Sequence, residues 1–405
     1  MKTIITIVSG LLMVTAVKAQ TLDSYIQEAE SNNPEVQAFE LRYNISKEKV
    51  EEANALPNTE MNAGVFVSEP ETRTGAQKAR FSVKQMLPWF GTITLRENYA
   101  SSLAEVDYLD IVITKRKLRL SVSQSYYELY AIKEKQLILE ENIQLLKTYE
   151  KLALTSVEVG GASAVDVLRL QIRQNELMED KLVLEKNYQA VQTQFNNLLN
   201  KDENTAVAVV KALPIYEPIQ IGQVQLDVHP ELEKYDRLYE SVAHSEVLNQ
   251  KEANPNIGFG LDYIPVEKRA GLDFSDNGKD ILMPMVSLSI PIFNNNYKSR
   301  TVQNELRQEE INAQKANRRN LLETILSDAF TNKEASYIKY KTQLRNLEQA
   351  KDAEEILIKN YETGTIDFND VLDIQELQLR FQINLIEAVK NYYVQTAIIN
   401  YLTNQ

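Results

Sequence analysis

Along most of this chain apolar residues return every third or fourth position, and in four short segments they return every second one. The helical pattern fills two stretches without glycine or proline, Thr92 to Val159 and Tyr297 to Thr363. At about 1.5 Å per residue each predicts a helix of roughly 100 Å, where an ordinary globular helix has about 11–12 residues. Within the first stretch Leu118, Val122, Ser125, Leu129, Ile132, Gln136, Leu139, Ile143 and Leu146 alternate steps of four and three. That is heptad spacing for a coiled-coil seam, and it suits an antiparallel helical bundle equally well. A return helix follows each, Ser163 to about Leu199 and Asp367 to about Leu402. Two more helices open on proline, whose missing N–H costs nothing at a first helical position: Pro34 to about Leu56, and Pro230 to about Ala253.

The period-two segments predict strands over about 58–68, 79–88, 256–264 and 281–291. From Asn256 to Tyr263 every second residue is large and apolar, and Arg80 to Lys84 and Val286 to Ile290 repeat this. The segment Met61 to Ser68 is less regular, with Ala63, Val65 and Val67 on one face. Polar loops, Glu69 to Lys78 and Pro265 to Asp280, join the strands in pairs. Alternation of this kind serves a soluble sheet over a core as well as a barrel wall facing lipid. On a barrel, Arg80, Lys84, Gly258 and Gly260 would face the lumen, and Trp89 and Tyr263 would suit an interfacial aromatic girdle.

The elements come twice in one order, offset by about 200 residues, as an internal repeat requires. Asn33-Pro34-Glu35 returns as His229-Pro230-Glu231, and Gln85 to Phe90 as Leu288 to Phe293. Gly160 with Asp166-Val167-Leu168 returns as Gly364 with Asp370-Val371-Leu372. The expected organisation is a signal peptide over 1–19, a first repeat over 20–200, a linker over 201–228 and a second repeat over 229–405. Four strands cannot close a barrel, since the smallest in an outer membrane use about eight, and open edges cannot persist in hydrocarbon. If the strands cross a membrane, three chains must share one barrel of twelve.

Composition narrows the rest. The 405 residues carry a formal charge of -13, which argues against nucleic acid as a partner. Cysteine is absent, so disulfides, thiol catalysis and thiolate metal sites are excluded. Lys2, the apolar run Ile4 to Val17, and Val17-Lys18-Ala19 read as an export signal cleaved after Ala19. That run is shorter than the roughly 20 residues a spanning helix needs. Tyrosine, with 20 residues, outnumbers phenylalanine, with 11, a bias towards rings with a polar end. His229 replaces Asn33 in the repeat and so reads as a cap. No nucleophile–base pair, phosphate loop or zinc motif is present, so no enzymatic activity, catalytic residue, cofactor or metal is expected.

The repeat, the export signal, the strand pairs and the glycine turns together resemble the TolC-type outer membrane efflux proteins, over essentially the whole mature chain. The most specific segments are Tyr361-Glu362-Thr363-Gly364 leading into Asp370-Val371-Leu372-Asp373, the looser Val157 to Gly160 leading into Asp166-Val167-Leu168, and Pro88-Trp89-Phe90-Gly91. The resemblance implies a mainly α fold with a membrane β-barrel portion. Long antiparallel coiled-coil helices would form a periplasmic α-barrel, and a homotrimer would supply a twelve-stranded barrel in outer membrane lipid. It implies a passive duct in a tripartite efflux system, docked on a periplasmic adaptor and an inner-membrane RND-type transporter or secretion ATPase, with cargo chosen by the partner.

The helix tips would then form the gate and the adaptor contacts. Asp370, Asp373 and Asp166 are the gate candidates. Val159, Gly160, Gly161, Ser163, Thr363, Gly364 and Thr365 are the docking candidates. Carboxylates from three chains at a narrow point would favour cations. Asp166 and Asp370 also have capping-box spacing from Ser163 and Asp367, and the two glycines suit helix C-termini. Arg169 stands where the second copy has Asp373, a departure from the pattern. Two other functions share parts of this sequence. A duct for protein secretion would look the same, and a soluble periplasmic coiled-coil scaffold would keep the signal and the heptads.

Overall fold

Seven α-helices carry most of the computed structural model, which describes residues 21–158, 163–218, 226–363, 365–366 and 368–403. In chain order the elements are α1 (Leu22–Asn32), α2 (Pro34–Ala53), β1 (Glu60–Val65), β2 (Glu71–Thr72), β3 (Gly75–Gln77), β4 (Ala79–Leu87), α3 (Thr92–Glu158) and α4 (Ala164–Leu198). There follow α5 (Pro230–Glu252), β5 (Asn256–Ile264), β6 (Val266–Glu267), β7 (Ile281–Ser289), α6 (Asn296–Glu362) and α7 (Phe368–Thr403). Helices α3 and α6 each have 67 residues. Prolines set two helix starts, Pro34 for α2 and Pro230 for α5, where the missing N–H costs nothing. β7 holds Pro284 in its interior, which an edge strand tolerates. Among the described residues no helix is long and apolar enough to cross a membrane. The expected signal peptide lies outside them.

Contacts divide the chain into two units, and three of the boundaries fall inside α2, α3 and α6. One unit comprises Met1–Val36, Lys115–Val224 and Thr324–Gln405; the other comprises Gln37–Thr114 and Gln225–Glu323.

In the first unit the heptad positions of α3 form the buried seam. Leu118, Val122, Ser125, Leu129, Ile132, Leu139, Ile143 and Leu146 are all buried, and Gln136 alone stays half-exposed. One stretch of seam packs on α1, an element absent from the sequence expectation. Tyr25, Ile26 and Ala29 of α1 meet Tyr126 and Leu129 of α3 and Phe195 of α4, with the Tyr25 and Phe195 rings edge-on at 5.1 Å. Over this core runs an extended segment, residues 205–218, that joins no sheet. Tyrosine hydroxyls hold it. The Ala208 N–H donates to Tyr25 Oη at 2.9 Å and the Val210 N–H to Tyr126 Oη at 3.0 Å. Tyr392 donates to the Tyr216 carbonyl at 2.9 Å, and Tyr393 to that of Pro214. Burial raises the phenols of Tyr126, Tyr392 and Tyr393 above their ordinary value, so they stay neutral donors and acceptors.

In the second unit β1, β4, β5 and β7 form an antiparallel sheet in that order. Pairing sets Met61 opposite Val83, Val83 opposite Leu261, and Phe259 opposite Val286. Directly paired residues share a face. One face therefore carries Met61, Val65, Phe81, Val83, Phe259, Leu261, Leu282, Val286 and Leu288, all exposed. The other carries Ser82, Lys84, Gly258, Gly260, Asp262 and Ser287. Asp262 is fully buried and pairs with Arg80. A side chain at Gly258 would meet Ser287 Oγ and Met86 Sδ, both of which would have to move to admit it. Beyond the sheet, β2, β3 and β6 form a small second one. It is laced by Lys78–Glu69 at 2.6 Å, Arg73–Asp276 at 2.7 Å and Arg269–Glu71 at 2.8 Å. Sequence patterning treats these residues as plain loop, because runs of two or three residues carry no period.

Candidate functional site: the helix tips

The tip candidates belong to the first unit, where α3, α4 and α7 share a core. Leu139, Ile143, Leu146 and Tyr149 meet Val167 and Leu170 of α4 and Phe368 and Val371 of α7. Phe368 anchors the second tip: its ring stands edge-on to Tyr361 at 4.9 Å and to Tyr149 at 5.7 Å. Between α6 and α7 the turn closes on one carbonyl. Thr363 and Thr365 hydroxyls donate to Asn360 O at 2.9 and 2.8 Å, and the Thr365 N–H adds a third bond at 3.0 Å. Val159, Gly160, Gly161 and Gly364 lie outside the described residues.

Asp166 is engaged in a capping box. Ser163 Oγ accepts from the Val165 N–H at 3.2 Å, while Asp166 Oδ2 accepts from the Ser163 N–H at 3.3 Å. Its carboxylate satisfies an orphan donor of α4 and suits the helix dipole. Asp370 and Asp373 are both exposed on α7, in line with Glu376 at steps of three. Their surroundings differ. Asp373 and Glu376, with Asn369 and Leu372 of the same helix, line a cleft of about 330 Å³ whose other wall is Arg169 and Arg173 of α4. Arg169 donates to Asn369 Oδ1 across it. Asp370 is not part of that lining.

Sequence patterning marks Arg169 only as a departure. The fold sets it against the α7 acids, a juxtaposition that two positions about 200 residues apart cannot reveal without the fold. Arg169 and Arg173, spaced by four, and Asp373 and Glu376, spaced by three, each declare a helix face on their own.

Deeper in the same bundle a polar ladder interrupts the apolar core. Asn142 donates to Gln382 Oε1 at 3.1 Å and accepts from Gln375. Glu354 accepts from Gln378 at 2.7 Å and from Tyr149 Oη at 2.7 Å. Burial and the hydrogen bond to Glu354 push the Tyr149 phenol well above its usual range. Buried amides of this kind fix helix register at some cost in stability. Among the described residues no cluster of three or more His, Asp or Glu side chains is arranged to hold a metal ion. His229 acts as a cap: its Nδ1 accepts from the Glu231 N–H at 3.3 Å, as Asn33 Oδ1 accepts from Glu35 at 2.9 Å.

No protein-family profile matches the chain, and no curated protein resembles it in sequence. Solved structures do. Over 94% of its length the chain superposes on the outer membrane protein VceC of Vibrio cholerae, at 16% identity and a TM-score of 0.74 over 95% of that chain. CusC, described for its folding and transmembrane channel formation, matches at 12% identity and a TM-score of 0.77 over 91% of its chain. The MtrE outer membrane channel of Neisseria gonorrhoeae matches at 15% and 0.74 over 88%. The chain has the fold of an outer membrane channel. More narrowly it is the TolC-type fold, and the resemblance carried by the tip motifs and the Pro88-Trp89-Phe90-Gly91 exit is borne out at that level.

Proposed function

We propose that this chain is one third of a passive homotrimeric duct in the bacterial outer membrane, with a periplasmic extension, and that it has no enzymatic activity. The observation that carries this is the four-stranded sheet. Its outer face is a field of exposed large apolar side chains, with Val286 75% exposed and Phe259 54%. Its two edge strands, β1 and β7, each lack one neighbour. In water such a face and such edges invite aggregation. In a bilayer the face is solvated by lipid, and closing three sheets into twelve strands removes every edge.

The equal lengths of α3 and α6, and the matched caps at Asn33 and His229, support a chain built from two like halves over 20–200 and 229–405, joined by 201–228 and preceded by an export signal over 1–19. The duct serves a tripartite efflux system. Ser163, Thr363 and Thr365 at the tips meet a periplasmic adaptor, an RND-type transporter supplies the energy, and the α7 acids Asp370 and Asp373 line the gate. The test is fractionation followed by reconstitution. The duct should be recovered in outer membranes, run as a trimer after mild detergent extraction, and conduct ions in planar bilayers. Recovery as a soluble periplasmic monomer would refute it.

A further inference from the structure

The face of the sheet opposite the exposed apolar field is not simply polar. Register sets Met86 beside Gly258, Met285 beside Gly260 and Met283 beside Asp262. Three of the chain's seven methionines therefore stand among the serines, glycines and charges of this face. None of them is buried: Met86 and Met285 are half-exposed, and Met283 is 39% exposed.

The two glycines open a furrow along β5. A Cβ on Gly258 would meet Met86 Sδ and Ser287 Oγ and would come within 3.5 Å of Lys84 Cε. One on Gly260 would stand 3.4 Å from Met285 Cε and 3.8 Å from Lys84 Cβ. Side chains of β4 and β7 thus lean from both sides over bare backbone. Ser287 donates to Met86 Sδ at 3.6 Å, which holds that thioether over Gly258.

Two cations share the face, and they differ. Arg80 is paired with Asp262. Lys84 makes no ion pair or hydrogen bond among the described residues, although Glu60 of β1 is its register partner. A spare ammonium repels a metal cation, and thioethers offer nothing to a small hydrated anion. Together they suit a solute with a negative head and an apolar body. Methionine adapts its shape to many such bodies, and the glycines leave room for them.

We propose that the furrow over Gly258 and Gly260 is a binding subsite for amphipathic organic anions, with Lys84 on the head group and Met86, Met283 and Met285 on the apolar body. This rests on the duct reading above, under which this face lines the lumen and the trimer holds three such furrows. The test uses the full-length trimer in planar bilayers with octanesulfonate as the probe. Octyltrimethylammonium shares its tail, and methanesulfonate shares its head.

Octanesulfonate should block the ion current saturably, and both controls should block weakly by comparison. Each methylene removed from the tail should weaken block by up to about fourfold. Met86→Ser, Met283→Ser and Met285→Ser together should flatten that dependence on tail length. Lys84→Gln should weaken block about twofold to fivefold and keep the dependence, while Lys84→Arg restores it. Open channels that octanesulfonate leaves unblocked, or that octyltrimethylammonium blocks equally well, overturn the subsite and leave the duct standing. Block that survives both sets of substitutions overturns it too. Block by silver ion that the serine substitutions remove, without block by octanesulfonate, assigns the face to soft cations instead. Absence of any trimeric conductance overturns the duct and the subsite with it.

Discussion

Replacing Val286 by arginine puts the lipid-facing role of the sheet to a direct energetic test. Val286 lies near the middle of β7, opposite Phe259, and is 75% exposed. If water wets this face, the change is a surface substitution worth within about ±0.5 kcal/mol. If lipid covers it, an arginine near the bilayer midplane costs about 2–4 kcal/mol per chain. Three chains raise that to about 6–12 kcal/mol per trimer, comparable with the whole net stability of about 5–15 kcal/mol typical of a domain. The control is Asn62→Arg, an exposed position on the opposite face of β1. The assay is the yield of detergent-resistant trimer in outer membranes, together with urea midpoints after refolding into vesicles. Val286→Arg should deplete the trimer severely and Asn62→Arg should leave it near wild type. Equal behaviour of the two variants would refute the assignment of faces.

Three further outcomes are expected. Asp370→Asn should relieve block by multivalent cations more than Asp373→Asn, because Arg169 and Arg173 already face Asp373 across the cleft; planar-bilayer recordings with the opposite order would remove Asp370 from the gate. Tyr126→Phe strips the Val210 N–H of its acceptor, and a lost partner of about 1–3 kcal/mol should speed amide exchange there roughly five- to a hundredfold, whereas unchanged exchange would mean the hydroxyl is not the clamp. Burial alone would raise the Glu387 carboxyl, but hydrogen bonds from Lys135 and Lys390 outweigh it and hold the group below its ordinary 4.5. Its stabilisation is therefore present above pH 4.5 and lost as pH falls through the lower folded value. Thermal melts should show Glu387→Gln flattening that acid limb, and a wild-type limb that persists in the variant would assign it elsewhere.

The parts of the fold that sequence patterning anticipates are those where a period decides burial. Leu118 to Leu146 followed heptad steps, and burial tracked them at every position but Gln136. The alternation of Phe259 and Leu261 against Gly258 and Gly260 likewise appears as two distinct faces of the sheet. What escaped were features that no period marks. Leu22, Tyr25, Ile26 and Ala29 do share a helix face, but 11 residues give too few turns to declare a helix. The tyrosine excess is visible in the composition, yet its cause, hydroxyls gripping an extended segment up to 183 residues away, exists only once the helices are assembled. At the tips Asp166 was legible as a cap from its spacing to Ser163. The Arg169–Asn369 contact was not, because long-range pairing of side chains is a property of the fold and of no local sequence.

The tyrosine-held segment has a mechanical consequence. A strand gripped by a β-ladder keeps one register, and a slip by one residue breaks every bond together. Here the grips are single hydroxyls spread over three helices, so the bonds share load without sharing a register. The segment can bear tension around α1, α3 and α7 while each helix keeps the small play of its phenols. Losing one tyrosine slackens such a belt at one point and does not unzip it.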